Sequence, residues 1–305
     1  MTTTCGSART WAVGASTLGA PGEELATVLR WLSEAAVRTM ELRVAHGQPV
    51  HVDSGPERRA RVRAQIADSG VELLSCSSYV RLASEAQDRV VVDDLKRHLE
   101  LTADLGARFL RVFPGAATLP GPGDRPPGTV HGVREADESI VRRLAAVTTT
   151  AEGLGVRPVL ETHGSHPRGQ DVARVLRALD ERSPDHRVGA VWDFEHPFRT
   201  GEAPARTWEE IGRRVRGGRG FVQIKDVRSV RDQTPVLVGH GVLPLATMVD
   251  VLDTGGYTGP LSLEWERTWH PEVAPLPVAL GSLNDWLGRQ APAVDRPHAG
   301  NRNGE

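Results

Sequence analysis

The sequence is poor in cysteine and has no excess of either charge. Its 305 residues include 2 cysteines, Cys5 and Cys76, which are too few for a disulfide framework or a Cys-rich zinc site. The 37 basic and 39 acidic residues give a formal net charge of −2, which argues against the broad basic surface of a nucleic-acid-binding domain. We therefore expect a cytoplasmic protein that binds no nucleic acid.

Long apolar runs are also missing. No uninterrupted apolar stretch approaches the roughly 20 residues that span a bilayer, and the first residues do not show a basic segment followed by an apolar one. We therefore expect neither a secretory signal nor a membrane partner. The phosphate loop GxxxxGK[ST] and the nucleophile motif GxSxG are absent as well. The sequence therefore gives no sign of nucleotide binding through a phosphate loop or of a serine nucleophile.

What the sequence does contain is a regular alternation of short β-rich apolar runs with segments of helical period. The predicted strands are 11–15, 39–44, 71–75, 108–113, 156–161, 188–193, 220–225 and 261–264. The predicted helices are 23–37, 56–68, 86–105, 135–154, 171–179, 205–215, 245–252 and 278–287. Such alternation predicts parallel strands joined by helical crossovers.

Eight strand–helix units match an α/β protein of the (β/α)8 barrel type, the TIM barrel, as a single domain over 11–290. A doubly wound sheet would need a GxGxxG turn after the first strand, where this chain reads GASTLGAPGEE. We expect residues 1–10 to form a short N-terminal tail and 291–305 a disordered one. The Gly- and Pro-rich segment 114–129 is expected to cover the mouth of the barrel.

Polar residues at the ends of four consecutive strands are the strongest functional signal. Since active sites of such barrels lie at the carboxyl ends of the strands, these side chains are expected to converge: Glu161, Asp193, Gln223 and Glu264. Three carboxylates and an amide oxygen are hard ligands, typical of Mn²⁺ or Mg²⁺. The alternative is that each acid caps a strand end or pairs with an arginine. We favour a divalent metal site, because carboxylates that converge without a cation repel one another.

Further polar and aromatic residues follow the predicted strands. His163 and His196 are candidates for contact with metal or substrate, or are hydrogen-bonded loop residues. Lys225 and Arg228 either bind an anionic group or a hydroxyl, or form salt bridges that cap helices. We expect Trp192, Trp265 and Trp269 to form walls of the pocket. Trp192 and Trp265 could instead face outward and pack beneath helices. The remaining substrate-binding candidates are His46, Arg111 and His240.

The segments LETHG, DFEHPF, VQIKDV and GYTGPLSLEWE resemble the sugar phosphate isomerase/epimerase family. This is the xylose-isomerase-like group of TIM barrels, which also contains metal-dependent apurinic endonucleases. The resemblance covers almost the whole chain and implies metal ligation by Glu161, Asp193, Gln223 and Glu264, with Gln223 standing where relatives commonly carry His. It also places His196 near substrate. The endonuclease branch uses a trinuclear zinc cluster whose additional histidines this chain does not match.

The resemblance implies a divalent-metal-dependent isomerase or epimerase that acts on a sugar or a cyclic polyol ketone. Glu161 and Glu264 would move a proton through an enediolate, and one Mn²⁺ is the expected cofactor, with Mg²⁺, Co²⁺ or Zn²⁺ also compatible. A lyase or dehydratase, including the type that cleaves C-glycosides, is the first alternative. A catalytically silent sugar-binding barrel is the second. The partner expected is a small carbohydrate or polyol, while assembly as a homo-oligomer and the role of His240 stay open.

Overall fold

A computed structural model of the chain describes residues 11–115 and 133–290. Its strands are β1 Val13–Ser16, β2 Thr39–Arg43, β3 Glu72–Arg81, β4 Phe109–Phe113, β5 Arg157–Glu161, β6 Gly189–Asp193, β7 Phe221–Ile224, β8 Asp226–Val227, β9 Pro235–Val236 and β10 Leu261–Leu263. All are parallel neighbours in one closed barrel except β8 and β9, which form a separate antiparallel pair. The barrel closes where β1 pairs with β10.

Helices connect successive strands of the barrel. They are α1 Leu25–Glu34, α2 Pro56–Asp68, α3 Asp88–Leu105, α4 Val133–Ala145, α5 Thr148–Gly153, α6 Gly169–Arg182, α7 Glu195–Arg199, α8 Pro204–Val215, α9 Leu245–Thr254 and α10 Leu276–Gln290. The predicted single-domain (β/α)8 barrel is confirmed. No helix in the described parts of the chain is long and apolar enough to cross a membrane.

Two predicted elements differ from the structure. The helix predicted over 135–154 is divided between α4 and α5, where three consecutive threonines begin α5. Threonine is a poor helix former because its β-branch restricts χ1 and its hydroxyl competes for backbone carbonyls. The third strand, predicted over 71–75, continues to Arg81. Its buried serines stay in the strand because they find partners, as Ser78 Oγ does at the Arg111 carbonyl, 2.7 Å away.

The sequence analysis did not predict three short elements: α7, β8 and β9. The predicted tails 1–10 and 291–305 lie outside the described residues, as does the 116–129 part of the segment expected to cover the barrel mouth. Pro114 and Gly115, at the start of that segment, follow β4 directly.

A small apolar cluster within the strands positions the polar residues at the barrel mouth. It consists of Leu74, Phe109, Val159, Val191 and Phe221. Side chains two residues apart on a strand share a face. Glu161, Asp193 and Gln223 each follow a member of this cluster by two positions, so the apolar layer forms the floor beneath them. The alternate residues face outward into the main core between the sheet and the helices.

The two fully buried tryptophans belong to that outer core. The Trp192 ring lies 4.9 Å from that of Phe194 and 6.1 Å from that of Trp208, centroid to centroid. Trp265 Nε1 donates a hydrogen bond to the Ala274 carbonyl, 2.7 Å away. Of the two alternatives left by the sequence, packing beneath the helices is therefore the one observed for both residues.

Candidate metal centre

Three carboxylates converge at the carboxyl end of the barrel. Glu161 ends β5, Asp193 ends β6 and Glu264 directly follows β10. One oxygen from each lies within 4.8 Å of the others, and all three side chains are buried. Gln223 of β7 stands between them in the sheet order, and its Cα pairs in register with that of Asp193. The four residues named from the sequence therefore come from four adjacent strands.

Three oxygens in this cluster are buried and accept no hydrogen bond from the described residues: Glu161 Oε2, Asp193 Oδ2 and Gln223 Oε1. The first two do have ion-pair contacts. Glu161 Oε2 lies 3.2 Å from Arg111 Nε, and Asp193 Oδ2 lies 2.9 Å from Lys225 Nζ. Buried polar atoms without partners are costly. Of the three, Gln223 Oε1 has neither a hydrogen bond nor an ion pair within the described residues. Together with the carboxylate oxygens of Glu161, Asp193 and Glu264, it fits the hard-ligand set of a divalent cation.

The side-chain amide of Gln223 is oriented by two carboxylates. Its Nε2 donates to Glu41 Oε2 at 3.0 Å and to Glu264 Oε1 at 3.2 Å. Because the amide nitrogen is directed at these acceptors, the oxygen Oε1 is the atom left for a cation. An amide oxygen is an acceptable ligand for such an ion.

Glu41 contacts the cluster through Gln223, although the sequence analysis left it out of the candidate site. The Ser77 hydroxyl donates to its Oε2 at 3.1 Å and the Ser262 hydroxyl to its Oε1 at 2.6 Å. Burial, and next the charge of Glu264, raise the pKa of Glu41 to about 7. The sequence did contain a signal for this residue. Glu41 is the only acid in the strand TMELR, which is buried throughout, and a buried acid in a strand indicates a polar partner.

Lys225 bridges the carboxylates from the side of β7. Its Nζ lies 2.9 Å from Asp193 Oδ2, 2.5 Å from Glu264 Oε2 and 2.6 Å from Glu266 Oε1. Burial lowers the pKa of this ammonium, but the surrounding carboxylates outweigh that effect and hold it well above its ordinary value. Lys225 is therefore a permanent cation within the cluster. The sequence left open whether Lys225 forms a salt bridge that caps a helix. In the structure its contacts are instead with carboxylates at the mouth of the barrel.

Negative charge in the cluster exceeds the positive charge that the chain supplies. The pKa values of Glu161, Glu195 and Glu264 are all raised, mainly by burial. The pKa of Glu195 is raised to about 8. Within the described part of the chain, the cations in contact with these carboxylates are Lys225, Arg111 and the partly exposed Arg199. Without a further cation the cluster must take up protons, which is the electrostatic signature of a site suited to a divalent ion.

His163 and His196 form a pair beside Glu161. Their ring centroids are 4.6 Å apart, and the His163 ring lies 4.2 Å from that of Phe113. Both histidines could bind one ion together with Glu161, because one potential ligand atom from each of the three residues lies within 4.8 Å of the others. Burial lowers the pKa of both imidazoles well below the ordinary value. They are therefore neutral near pH 7 and able to donate or accept a hydrogen bond.

Arg111 contacts the cluster at Glu161, while Trp269 lies in the loop after β10. The Arg111 guanidinium lies over the Phe113 ring, 4.0 Å from its centroid, and its Nη1 is buried and has no hydrogen-bond partner among the described residues. Trp269 is 49% exposed and stacks with the Arg43 guanidinium at 5.5 Å. Arg43 in turn donates to the Tyr79 hydroxyl at 2.8 Å.

The other three candidates lie on exposed parts of loops. His46 Nε2 is 3.4 Å from Asp53 Oδ2, and Arg228 Nη1 is 2.9 Å from Asp232 Oδ2. His240 is exposed in the loop after β9. That loop is fixed by Asp226, which accepts hydrogen bonds from the flanking amides of Gly239 and Gly241. The structure thus brings Lys225, Arg111, His163 and His196 to the carboxylates, and gives His46 and Arg228 partners elsewhere.

The fold agrees with the sequence comparison. Residues 29–287 match the family model described as xylose isomerase-like TIM barrel. The chain belongs to the xylose isomerase-like TIM barrel family. A search of curated proteins finds no significant match.

Solved structures share the fold at low sequence identity. A 3-keto-D-glucoside 4-epimerase from E. coli is 17% identical with a TM-score of 0.70, over 92% of this chain and 100% of that one. A probable 3-DHS dehydratase from Bacillus anthracis is 14% identical with a TM-score of 0.68, over 89% and 98%. An IOLI protein with a bound zinc atom is 15% identical with a TM-score of 0.69, over 92% and 97%. The chain spans 43% of a further structure, a fusion of a xylose isomerase-like TIM barrel with 4-hydroxyphenylpyruvate dioxygenase.

Proposed function

We propose that the chain is a divalent-metal-dependent isomerase or epimerase that acts on a sugar or a cyclic polyol ketone. The observation that carries the proposal is the convergence of buried carboxylate oxygens from Glu161, Asp193 and Glu264, beside Gln223 Oε1, which has no hydrogen-bond partner among the described residues. Glu161, Asp193, Gln223 and Glu264 would hold the ion, for which Mn²⁺ is the first candidate and Mg²⁺, Co²⁺ or Zn²⁺ are alternatives. When bound, a divalent ion supplies Lewis-acid polarisation of a substrate carbonyl.

The protein's own part in the reaction is proton transfer. Glu161 ends β5 and Glu264 directly follows β10, the first and last of the four adjacent strands β5, β6, β7 and β10, so they approach a bound substrate from two sides. One glutamate removes the proton from the carbon next to the carbonyl, which leaves an enediolate. The other glutamate returns a proton to the opposite face or to the neighbouring carbon. Burial raises the pKa of both carboxyls, which brings them closer to the range of efficient general bases.

Arg111, Lys225, His163 and His196 surround the same space and can orient the substrate. The unpartnered Arg111 Nη1 can donate to a substrate oxygen. His163 and His196, both neutral, can accept from or donate to hydroxyl groups. Trp269 offers an apolar face of the kind on which sugar rings pack. A small carbohydrate or polyol is therefore the substrate class that we propose.

A dehydratase is the second candidate. It is favoured by the neutral His163–His196 pair next to Glu161, because an imidazole N–H can hydrogen-bond a departing hydroxyl while a glutamate removes the α proton. The same fold is found in the E. coli 3-keto-D-glucoside 4-epimerase and in the probable 3-DHS dehydratase of Bacillus anthracis. The two reactions share the removal of the α proton and differ in whether the enediolate is reprotonated or expels a hydroxyl.

Solvent deuterium uptake tests the proposal. Metal-loaded protein is incubated in D₂O with a panel of keto-sugars and cyclic polyol ketones, and the products are analysed by mass spectrometry and NMR. An isomerase or epimerase yields a product that carries deuterium at the carbon next to the carbonyl and has the mass of the substrate plus that label. A dehydratase yields a product lighter by one water. A rearranged product without solvent label would contradict the two-glutamate proton transfer, and turnover of no substrate would favour a silent sugar-binding barrel.

A further inference from the structure

A cavity of about 370 Å³ opens at the opposite end of the barrel from the carboxylate cluster. Four arginines line it: Arg157, Arg187, Arg214 and Arg219. Arg157 is the first residue of β5, whose last residue is Glu161. The cavity therefore lies at the amino ends of the strands, and the candidate active site lies at their carboxyl ends.

The order of the strands brings these arginines together. Arg187 and Arg219 each stand two residues before a strand, β6 and β7, and Arg108 stands directly before β4. Since β4, β5, β6 and β7 are consecutive parallel neighbours, residues just before them share one edge of the barrel. The Arg157 amide donates to the Arg108 carbonyl at 3.1 Å, and its Nη1 donates to the Arg187 carbonyl.

Carboxylates neutralise only part of this group. Asp180 pairs with Arg214 and also accepts from His186 at 2.8 Å. Glu152 pairs with Arg187 at 3.2 Å. Within the described residues, Arg108, Arg157 and Arg219 have no carboxylate within ion-pair distance. Burial, followed by the charges of the neighbouring arginines, lowers the pKa of Arg157, in keeping with the position of these arginines along one edge of the barrel.

We propose that this cavity binds a phosphate-bearing anion, either inorganic phosphate or the phosphoryl group of a small metabolite. Guanidinium groups match the geometry of phosphate oxygens and bind them through paired, charge-assisted hydrogen bonds. The volume of about 370 Å³ falls within the roughly 300–1,000 Å³ typical of small-molecule sites. Asp180 and Glu152 neutralise Arg214 and Arg187. The anion would neutralise the arginines of the cavity that have no carboxylate partner. Because the cavity is at the far end of the barrel, its occupant would not compete with a substrate at the carboxylate cluster.

Calorimetric titration of the metal-free protein tests the proposal. Metal is removed first, because phosphate also binds metal ions. Inorganic phosphate and glucose 6-phosphate are titrated separately, at one ionic strength fixed with sodium chloride, to distinguish the two sources. The variants are Arg219→Ala and Arg187→Ala, both at exposed positions. Arg61→Ala, an exposed arginine of α2 that pairs with Glu57, is the matched control. Thermal melting without ligand shows whether each variant is folded.

We expect saturable binding of at least one probe with one site per chain. Losing a charge-assisted hydrogen bond to phosphate should weaken binding by about tenfold or more in Arg219→Ala and in Arg187→Ala. Arg61→Ala should bind as the wild type does. The probe that binds more tightly identifies the source. Absence of saturable binding of both probes, or unchanged affinity in both cavity variants, would overturn the proposal.

Discussion

Gln223 Nε2 donates a hydrogen bond to Glu41 Oε2 over 3.0 Å, and this contact joins β7 to β2 across the mouth of the barrel. The two strands are not neighbours, since β10 and β1 separate them. Glu41 thereby helps to hold the nitrogen of the Gln223 amide toward itself and Glu264. The amide oxygen, Oε1, is left on the other side. Glu41, which is not among the proposed metal ligands, therefore acts with Glu264 to turn the oxygen of Gln223, rather than its N–H group, toward the proposed ion.

Replacing Glu41 by methionine should therefore weaken metal binding. Without Glu41 the Gln223 amide keeps only its longer hydrogen bond to Glu264 Oε1 and is oriented less firmly. Loss of a residue that orients a ligand typically costs about 10–100-fold in metal affinity. Glu41→Gln keeps an oxygen that can accept from Gln223, so it should lose much less. Metal affinity of both variants is measured by competition with a chelating dye.

Glu41 also accepts from Ser77 and Ser262, so thermal melting of the metal-free variants is recorded alongside. A drop in melting temperature with unchanged metal affinity would assign Glu41 a structural role only, contrary to the positioning role.

Substitutions at Gln223 test its oxygen directly. Gln223→His should keep the metal, because imidazole is also a ligand for these ions. Gln223→Leu removes the donor atom at similar size, and its metal affinity should fall markedly. The measurement is the same dye competition, on protein confirmed to be folded by circular dichroism. If Gln223→Leu binds metal as tightly as the wild type does, strand β7 supplies no ligand.

Lys225 makes its main contribution before any metal is bound. Lys225→Met leaves Asp193 and Glu264 without the ammonium that contacts them, and breaking a buried ion pair of this kind costs about 3–5 kcal/mol. Urea unfolding of the metal-free protein measures the loss. The other lysine of the chain, Lys96, gives the matched control, and Lys96→Met should change the free energy of unfolding by less than about 0.5 kcal/mol. Equal effects of the two substitutions would refute the bridging role.

The two glutamates should separate metal binding from catalysis. Glu161→Gln and Glu264→Gln each keep an oxygen that can bind the ion but lose the base. We expect both variants to retain much of their metal while turnover falls at least about 10²-fold, the lower end of general-base contributions. Metal content and turnover are measured on the same preparations. Turnover near the wild-type value in either variant would remove that glutamate from the proton-transfer step.

The sequence predicted the barrel and four of the converging residues because both depend on local pattern. Glu161 and Asp193 each end a short apolar run, and the carboxyl ends of parallel strands meet. Glu41 was missed because its partners Gln223 and Ser262 lie 182 and 221 residues away in the chain. Lys225 lies among four carboxylates, and two of these, Glu195 and Glu266, could not be predicted from periodicity. Glu195 begins the short helix α7, and Glu266 lies in the loop after β10. His46 was named for following β2, yet its partner there is Asp53.

Metal content after purification tests the central claim most directly. Wild-type protein, dialysed and analysed by inductively coupled plasma mass spectrometry, should carry about one equivalent of a divalent ion per chain. Asp193→Ala, which removes a buried ligand oxygen, should lose most of it, whereas the exposed control Glu23→Ala should keep it. Equal metal content in Asp193→Ala and Glu23→Ala would contradict the assignment of this cluster as the metal centre.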